Sequence, residues 1–319
     1  MAGENHPMSQ TDVQQQGVDV EQTTIRISVV VPFYNSQRYI EDCIQALLAQ
    51  TYSSRLYEVI MVDNNSTDGS AAVVRKYPRI KLLSEQKQGA YAARNRGVAA
   101  SQGKIIAFTD PDCVPSSDWL KQIDAAMRHS AARIVVGTHD SAIDSPMLRV
   151  LEDYEHEKNN YIFSSPIKTV YYGYTNNMAV QKTLFSELGP FVEIPRGSDV
   201  VFVRRCVDRH SCDSVWYSRT VRVRHLEIDS ARSYFQKLFI YGRSMRRYGD
   251  IANARPINSW ERFIVFRNTV KTQEYSWTRS ALLLGLLFIG LLYWISGGIS
   301  AALFSKNESS YPNELENRL

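Results

Sequence analysis

The chain has 319 residues, with 37 Lys and Arg against 33 Asp and Glu for a net charge of +4, which allows one domain of about 250 residues plus an additional segment. So small a positive excess, gathered near a C-terminal apolar stretch, gives no footprint for a nucleic-acid partner and suits lipid headgroups better. Four cysteines, at 43, 113, 206 and 212, show no disulfide or metal-ligand spacing, as expected of reduced thiols in a cytosolic domain.

Residues 1–24 are Gln-rich and polar and lack the apolar core of a signal peptide, so they are expected to form a disordered tail. From Arg26 a β-branched run, Ile-Ser-Val-Val-Val, stops at Pro32 and reads as a strand. A loop through Phe33, Tyr34, Asn35 and Ser36 follows, then apolar residues at helical spacing, Tyr39, Ile40, Cys43, Leu47 and Leu48. The unit repeats: strand Glu58 to Asp63, polar turn Asn64 to Gly69, helix Ser70 to Tyr77, and a third strand Ile80 to Leu83. Gly89 opens an alanine-rich helix over Ala90 to Ala99, and Lys104 to Phe108 is a fourth, apolar strand.

Beyond that strand stand Asp110 and Asp112, one residue apart. Alternate residues of an extended chain point the same way, so both carboxylates are able to face one divalent cation, Mg²⁺ or Mn²⁺, that shares its oxygens with a phosphate. The triplet alone is weak evidence, because Asp commonly shapes turns. Strands alternating with helices predict an α/β fold with a mostly parallel sheet covered on both faces. Ligands of such sheets sit outside the carboxyl ends of the strands, so Pro32 to Asn35, Asp63 to Asn65 and Asp110 to Asp112 should converge on one crevice.

The ordered set Val29 to Asn35, Val62 to Gly69, Gly89 to Gly97 and Asp110-Pro-Asp112 resembles the nucleotide-sugar-binding half of family 2 glycosyltransferases, which have the GT-A fold. The likeness covers roughly residues 26 to 225, and its specificity lies in several motifs in one order. A dinucleotide-binding oxidoreductase is disfavoured, since Pro32-Phe-Tyr-Asn35 offers no Gly-x-Gly-x-x-Gly turn. A nucleotidyltransferase is disfavoured too, for want of a Gly-rich first loop bearing Arg and Lys. The resemblance implies that Asp63 holds the base, with Pro32, Tyr34, Asn35 and Asn65 around the nucleoside. It implies that Gly89 and Arg94 meet the diphosphate, and that Asp110 approaches the ribose or the metal while Asp112 is the more direct metal ligand. Asn64-Asn65 stands where many relatives carry a second acid, which leaves the base open. For Asp63 the plain alternative is a turn-forming Asp, for Tyr34 packing, and for Arg94 a solvated helix face; Arg96, two residues on, faces elsewhere.

The second half must supply the acceptor site and a general base. Thr175 to Val180, Leu184-Phe185 and Leu188-Gly-Pro-Phe191 resemble the family's acceptor-side strand, helix and turn, and Arg196-Gly-Ser-Asp199 follows. Asp199 is the candidate base for an inverting transfer, because the resemblance puts an acid there at the start of a helix. Its structural alternative is helix-terminus charge, worth ~1 kcal/mol. Val221 to His225 is an alternating strand, and His225 is either a third metal ligand or a structural histidine. On the basic, aromatic stretch Tyr241 to Arg247, Arg243 is a candidate second phosphate contact. His139, His156 and His210 stand isolated, without metal spacing.

Residues 280–305 carry no charge and, at roughly 39 Å as a helix, are long enough to cross a bilayer. Basic residues before them, Arg262, Arg267, Lys271 and Arg279, and the acidic tail 306–319 after them predict a single-pass cell-membrane protein with a cytoplasmic catalytic domain. The expected organisation is a glycosyltransferase domain over 25–250, with a nucleotide-sugar half to about 115 and an acceptor half beyond. A juxtamembrane segment over 251–279 and the span complete it. The expected activity is transfer of a sugar from a nucleotide-sugar donor to a lipid-linked or membrane-proximal acceptor, metal-dependent and inverting. The rival is a catalytically inactive nucleotide-sugar-binding subunit of a membrane glycan-assembly complex.

Overall fold

The structure is a computed structural model that describes residues 24–129 and 131–304. The tail expected over 1–24, save its last residue, and the tail expected over 306–319 lie outside the described residues. The first half follows the predicted alternation: β1 (Ile27–Phe33), α1 (Ile40–Leu48), β2 (Tyr57–Asp63), α2 (Ser70–Arg75), β3 (Ile80–Ser84), α3 (Ala90–Ala100) and β4 (Ile105–Thr109). The four strands pair in parallel in the order β3-β2-β1-β4. All of β1 is buried, as an uninterrupted apolar run covered on both faces must be.

Glycine sets how closely α3 approaches the sheet. A Cβ on Gly97 would fall 2.4 Å from Val30 Cγ1, closer than packing allows. Gly97→Val is therefore expected to destabilise the protein by about 1–3 kcal/mol, read as a lowered thermal midpoint; an unchanged midpoint would show that α3 is free to shift.

Between Asp112 and Thr175, a stretch without a predicted element, lie β5 (Cys113–Pro115), α4 (Trp119–Ala126), β6 (Ile134–Ser141) and α5 (Pro146–Phe163). After these come β7 (Asn177–Gln181), α6 (Thr183–Leu188), α7 (Ser198–Arg209) and β8 (Val215–His225). The sheet continues past β4 as β7-β6-β8-β5, with β7 antiparallel to β4 and to β6, β8 parallel to β6, and β5 antiparallel to β8. The result is a mixed, mostly parallel α/β sheet of the GT-A type. The antiparallel part arises because β7 enters beside β4 from the opposite end, so Thr109 pairs with Asn177 at the ligand-bearing edge.

Three helices close the chain: α8 (Ala231–Ala252), α9 (Ser259–Thr272) and α10 (Trp277–Phe304). Asn258 and Glu261 cap α9 reciprocally, and Ser230 and Ser233 do so for α8. The segment α10 is, among the described residues, the one helix long and apolar enough to cross a membrane. It is not a free-standing anchor. Cβ atoms on Gly242 and Gly297 would each fall 2.0 Å from a carbonyl oxygen of the other helix, Trp294 O and Phe239 O, so α8 and α10 pack backbone to backbone.

Candidate functional site

At the carboxyl ends of β1 and β4 lies a cavity of about 1320 Å³. Pro32, Tyr34, Asn35, Gly89, Arg94, Asp110, Asp112, Asp199 and His225 all line it. Asp63, Asn65 and Arg243 do not.

The first loops are laced together. Asn35 Oδ1 accepts from Thr67 N at 2.8 Å, and Ser36 N donates to Ser70 Oγ at 2.8 Å. Asp63 Oδ1 accepts from Ser66 N at 2.9 Å, so half of its carboxylate shapes the turn. Buried Asn64, rather than Asn65, ties this turn to α3: its amide donates to Glu85 O and Lys87 O, and its Oδ1 accepts from Gly89 N at 2.7 Å. Gly89 has φ +139°, a backbone that favours glycine, and it delivers the N-terminus of α3 to the cavity wall.

Arg94 is buried while Arg96 is exposed, as their different helix faces require. Its guanidinium pairs with Asp110, Nη2 to Oδ1 at 2.5 Å, and lies 5.1 Å from the Tyr91 ring centroid. Asp110 is thereby turned to Arg94, and it is Asp112 that meets His225. The antiparallel register of β5 and β8 sets Cys113 opposite His225, and Leu226 N donates to Asp112 O at 2.8 Å. In consequence Asp112 Oδ2 and His225 Nδ1 stand 3.4 Å apart.

Side-chain donors of Asp112, Cys113 and His225 lie within 4.8 Å of one another. Burial, then the neighbouring Asp110 charge, pushes the Asp112 carboxyl up to about 6. Burial and the Lys237 ammonium hold His225 below its usual range, so its imidazole is neutral. Its Nδ1 is buried without a hydrogen-bond partner. With Lys237 Nζ donating to Nε2, the neutral ring carries its proton on Nδ1, so His225 offers a lone pair there only in the other tautomer, with Lys237 displaced; in that form Nδ1 beside a desolvated carboxylate fits a hard or borderline divalent cation. The Cys113 thiol fits less well, since burial raises its pKa well above normal and keeps it protonated. Of the expected trio, Asp112 and His225 stand side by side, while Asp110 pairs with Arg94.

Asp199 occupies the first turn of α7. Its Oδ2 accepts from Thr175 N at 3.1 Å and its Oδ1 from Val200 N at 3.0 Å. Burial raises its pKa, opposed by the Tyr91 hydroxyl, the Arg94 charge and these amides. A partly desolvated carboxylate is a better proton acceptor than a solvated one.

Arg243 does not line the cavity, and its backbone N lies against Gly297. The cation that α8 brings to the site is Lys237, whose Nζ is 2.9 Å from His225 Nε2 and 3.1 Å from Glu227. Lys237 lies outside the basic stretch Tyr241 to Arg247, because α8 begins well before it, at Ala231. A helical count from Tyr241 back by four places Lys237 on the same face. His139 also lines the cavity, bonded to Asn176 Oδ1 at 2.8 Å.

A sheet of this order, with an acid pair at the end of β4 and a carboxylate on α7 facing it, defines a nucleotide-sugar-binding fold of the GT-A type. Residues 28–189 match the model of glycosyl transferase family 2, and the chain belongs to that family. It is 32% identical over 188 residues to the glycosyltransferase AglE of Haloferax volcanii, covering 57% of this chain and 61% of that protein. The chain thus spans under two thirds of that relative's length. Among solved structures, the mannosyltransferase PcManGT of Pyrobaculum calidifontis, in complex with GDP-Man and Mn²⁺, superposes with a TM-score of 0.56 at 19% identity, covering 88% of both chains. TarS 1–349 of S. aureus, in complex with UDP-GlcNAc, gives 0.52 at 16% identity, covering 84% of this chain and 81% of that one. At these identities the likeness is one of fold.

Proposed function

We propose that the protein transfers a sugar from a nucleotide-sugar donor to a hydroxyl of a membrane-associated acceptor, with inversion at the anomeric carbon, in glycan or polysaccharide synthesis. The observation that carries this reading is that Asp112 and Asp199 face one cavity. The sugar nucleotides held by the two structural relatives support the donor class.

In this reading the nucleoside lies against Tyr34 and Asn35, with Asp63 and Asn65 at the rim. The diphosphate lies at the N-terminus of α3, where amide groups and the helix dipole favour anions, with Arg94 behind. Asp110 orients Arg94 and borders the ribose. Asp112 and His225 would hold Mg²⁺ or Mn²⁺, whose charge would offset that of the departing diphosphate. The acceptor hydroxyl gives its proton to Asp199 as its oxygen bonds to the anomeric carbon. The carbon–oxygen bond to the diphosphate breaks on the opposite face, and the nucleoside diphosphate leaves. The apolar helix α10 supports membrane attachment and an acceptor met at the bilayer.

A panel of nucleotide sugars with Mn²⁺ or Mg²⁺ and membrane lipid extract, scored for nucleoside diphosphate release and glycosylated lipid, tests the whole reading. One donor is expected to give both products, and no turnover with any donor would end it. Cation binding should also follow pH. Asp112 binds the ion only as carboxylate, so affinity is full above about 6 and lost as the pH falls through it. Calorimetric titration with Mn²⁺ is expected to show about tenfold weaker binding at pH 5 than at neutral pH; equal affinities would remove Asp112 from the ligand set.

A further inference from the structure

The cavity that contains Asp112 and Asp199 extends beyond the room needed by a donor sugar. Its far wall is apolar, built from Leu286, Leu287, Leu291 and Trp294 of α10 facing Leu238 and Met245 of α8. Tyr241 and Tyr248 of α8 line the same cavity as Asp199.

These parts are held together mechanically. Gly197, just before Asp199, has φ +84°, and a Cβ there would fall 2.1 Å from the Tyr248 ring. The loop bearing the base therefore rests on α8. An adjoining face of α8, about 120° round the helix from Tyr248, meets α10 through Gly242 and Gly297. One helix thus touches both the base loop and the helix that completes the apolar wall.

An aliphatic wall open to the same cavity as a catalytic carboxylate is a poor surface to leave against water. The wall also borders the exposed apolar face of α10, where Leu284, Phe288 and Leu292 are more than half exposed. Such a face suits contact with bilayer hydrocarbon. Leu287 and Leu291, the two tyrosines and Asp199 all open on that one cavity. Tyr241 and Tyr248 each offer a ring for packing and a hydroxyl for a polar head.

From this arrangement we infer that the wall between α8 and α10 is the binding site for the hydrocarbon chain of an amphipathic acceptor, whose hydroxyl-bearing head reaches Asp199 past Tyr241. The inference rests on the transferase reading and names the acceptor class for it. Chain length should matter steeply, roughly three- to fourfold in affinity per methylene buried.

The test uses the full chain and a probe of known chemistry, dodecyl glucoside carrying a diazirine at the chain end. Photolabelling of the wild type is expected at Leu238, Met245, Leu287 and Leu291, competed by untagged dodecyl glucoside and not by glucose. The double variant Leu287→Asp, Leu291→Asp is expected to lose at least tenfold of that label, whereas Leu292→Asp, on the exposed face, keeps it. Wild-type labelling confined to Leu284, Phe288 and Leu292 would overturn the inference, because it would report hydrocarbon contact alone. Binding of nucleoside diphosphates by the same wild-type sample separates the two levels. If a nucleotide binds and the wall is unlabelled, the acceptor site is wrong and the transferase reading survives; if no nucleotide binds, both fall.

Discussion

Replacing Asp199 with asparagine is expected to lower the turnover number by about 10²–10⁴-fold, the usual contribution of a positioned general base, while donor affinity stays within about twofold. The change removes the proton acceptor and keeps the side chain's volume. Only part of the hydrogen bonding survives, since an amide oxygen is able to accept from Thr175 N or Val200 N but not from both, and its NH₂ group then faces the second donor. The α7 N-terminus also loses a favourable charge, worth about 0.3–1 kcal/mol. Two outcomes are therefore separable by steady-state kinetics beside thermal unfolding and nucleotide calorimetry. A large fall in turnover with intact nucleotide binding identifies the base. A small loss of stability with turnover unchanged would mean that Asp199 only charges a helix end, and the mechanism would need another carboxylate.

Replacing Asp112 with asparagine is expected to move activity and stability in opposite directions. Its carboxylate is desolvated and stands near Asp110, so the folded-state pKa lies above the unfolded value of 3.8. A carboxyl raised on folding costs stability once ionised. That cost is absent below the unfolded value, grows between it and about 6, and is fully present at neutral pH. Asp112→Asn removes the charge and should raise the thermal midpoint of the metal-free protein at neutral pH. The same change removes an oxygen ligand that asparagine replaces poorly, so Mn²⁺ binding should be lost and turnover should fall by about 10²–10³-fold. A variant with a lower midpoint and unaltered Mn²⁺ binding would contradict both parts of the argument.

The residues bordering the site were legible to very different degrees. Asp110 and Asp112 stood out because an apolar strand precedes them, and β4 ends at Thr109, one residue past that run. What the linear pattern hid was their divergence, since a period of two describes a strand and these acids lie on the turn between β4 and β5. Buried Arg94 takes one of them, and His225 the other. The pairing of Asp112 with His225 depends on a strand of only three residues, Cys113–Pro115, too short to show any periodicity. Lys237, Tyr234 and Tyr248 of α8 were hidden for another reason. That helix carries a polar face into the cavity, and nothing local distinguishes such a face from one in water.

The strand-and-helix alternation of the first half, the convergence of its loops and the apolar C-terminal helix were written in local order, because burial on both faces demands continuous β-branched runs and a bilayer-length helix demands an absence of charge. The partner of each acid, the antiparallel entry of β7 and the seating of α10 against α8 were not. They depend on register between distant segments and on where glycine lets backbones touch, and contacts of that kind exist only once the chain has closed on itself.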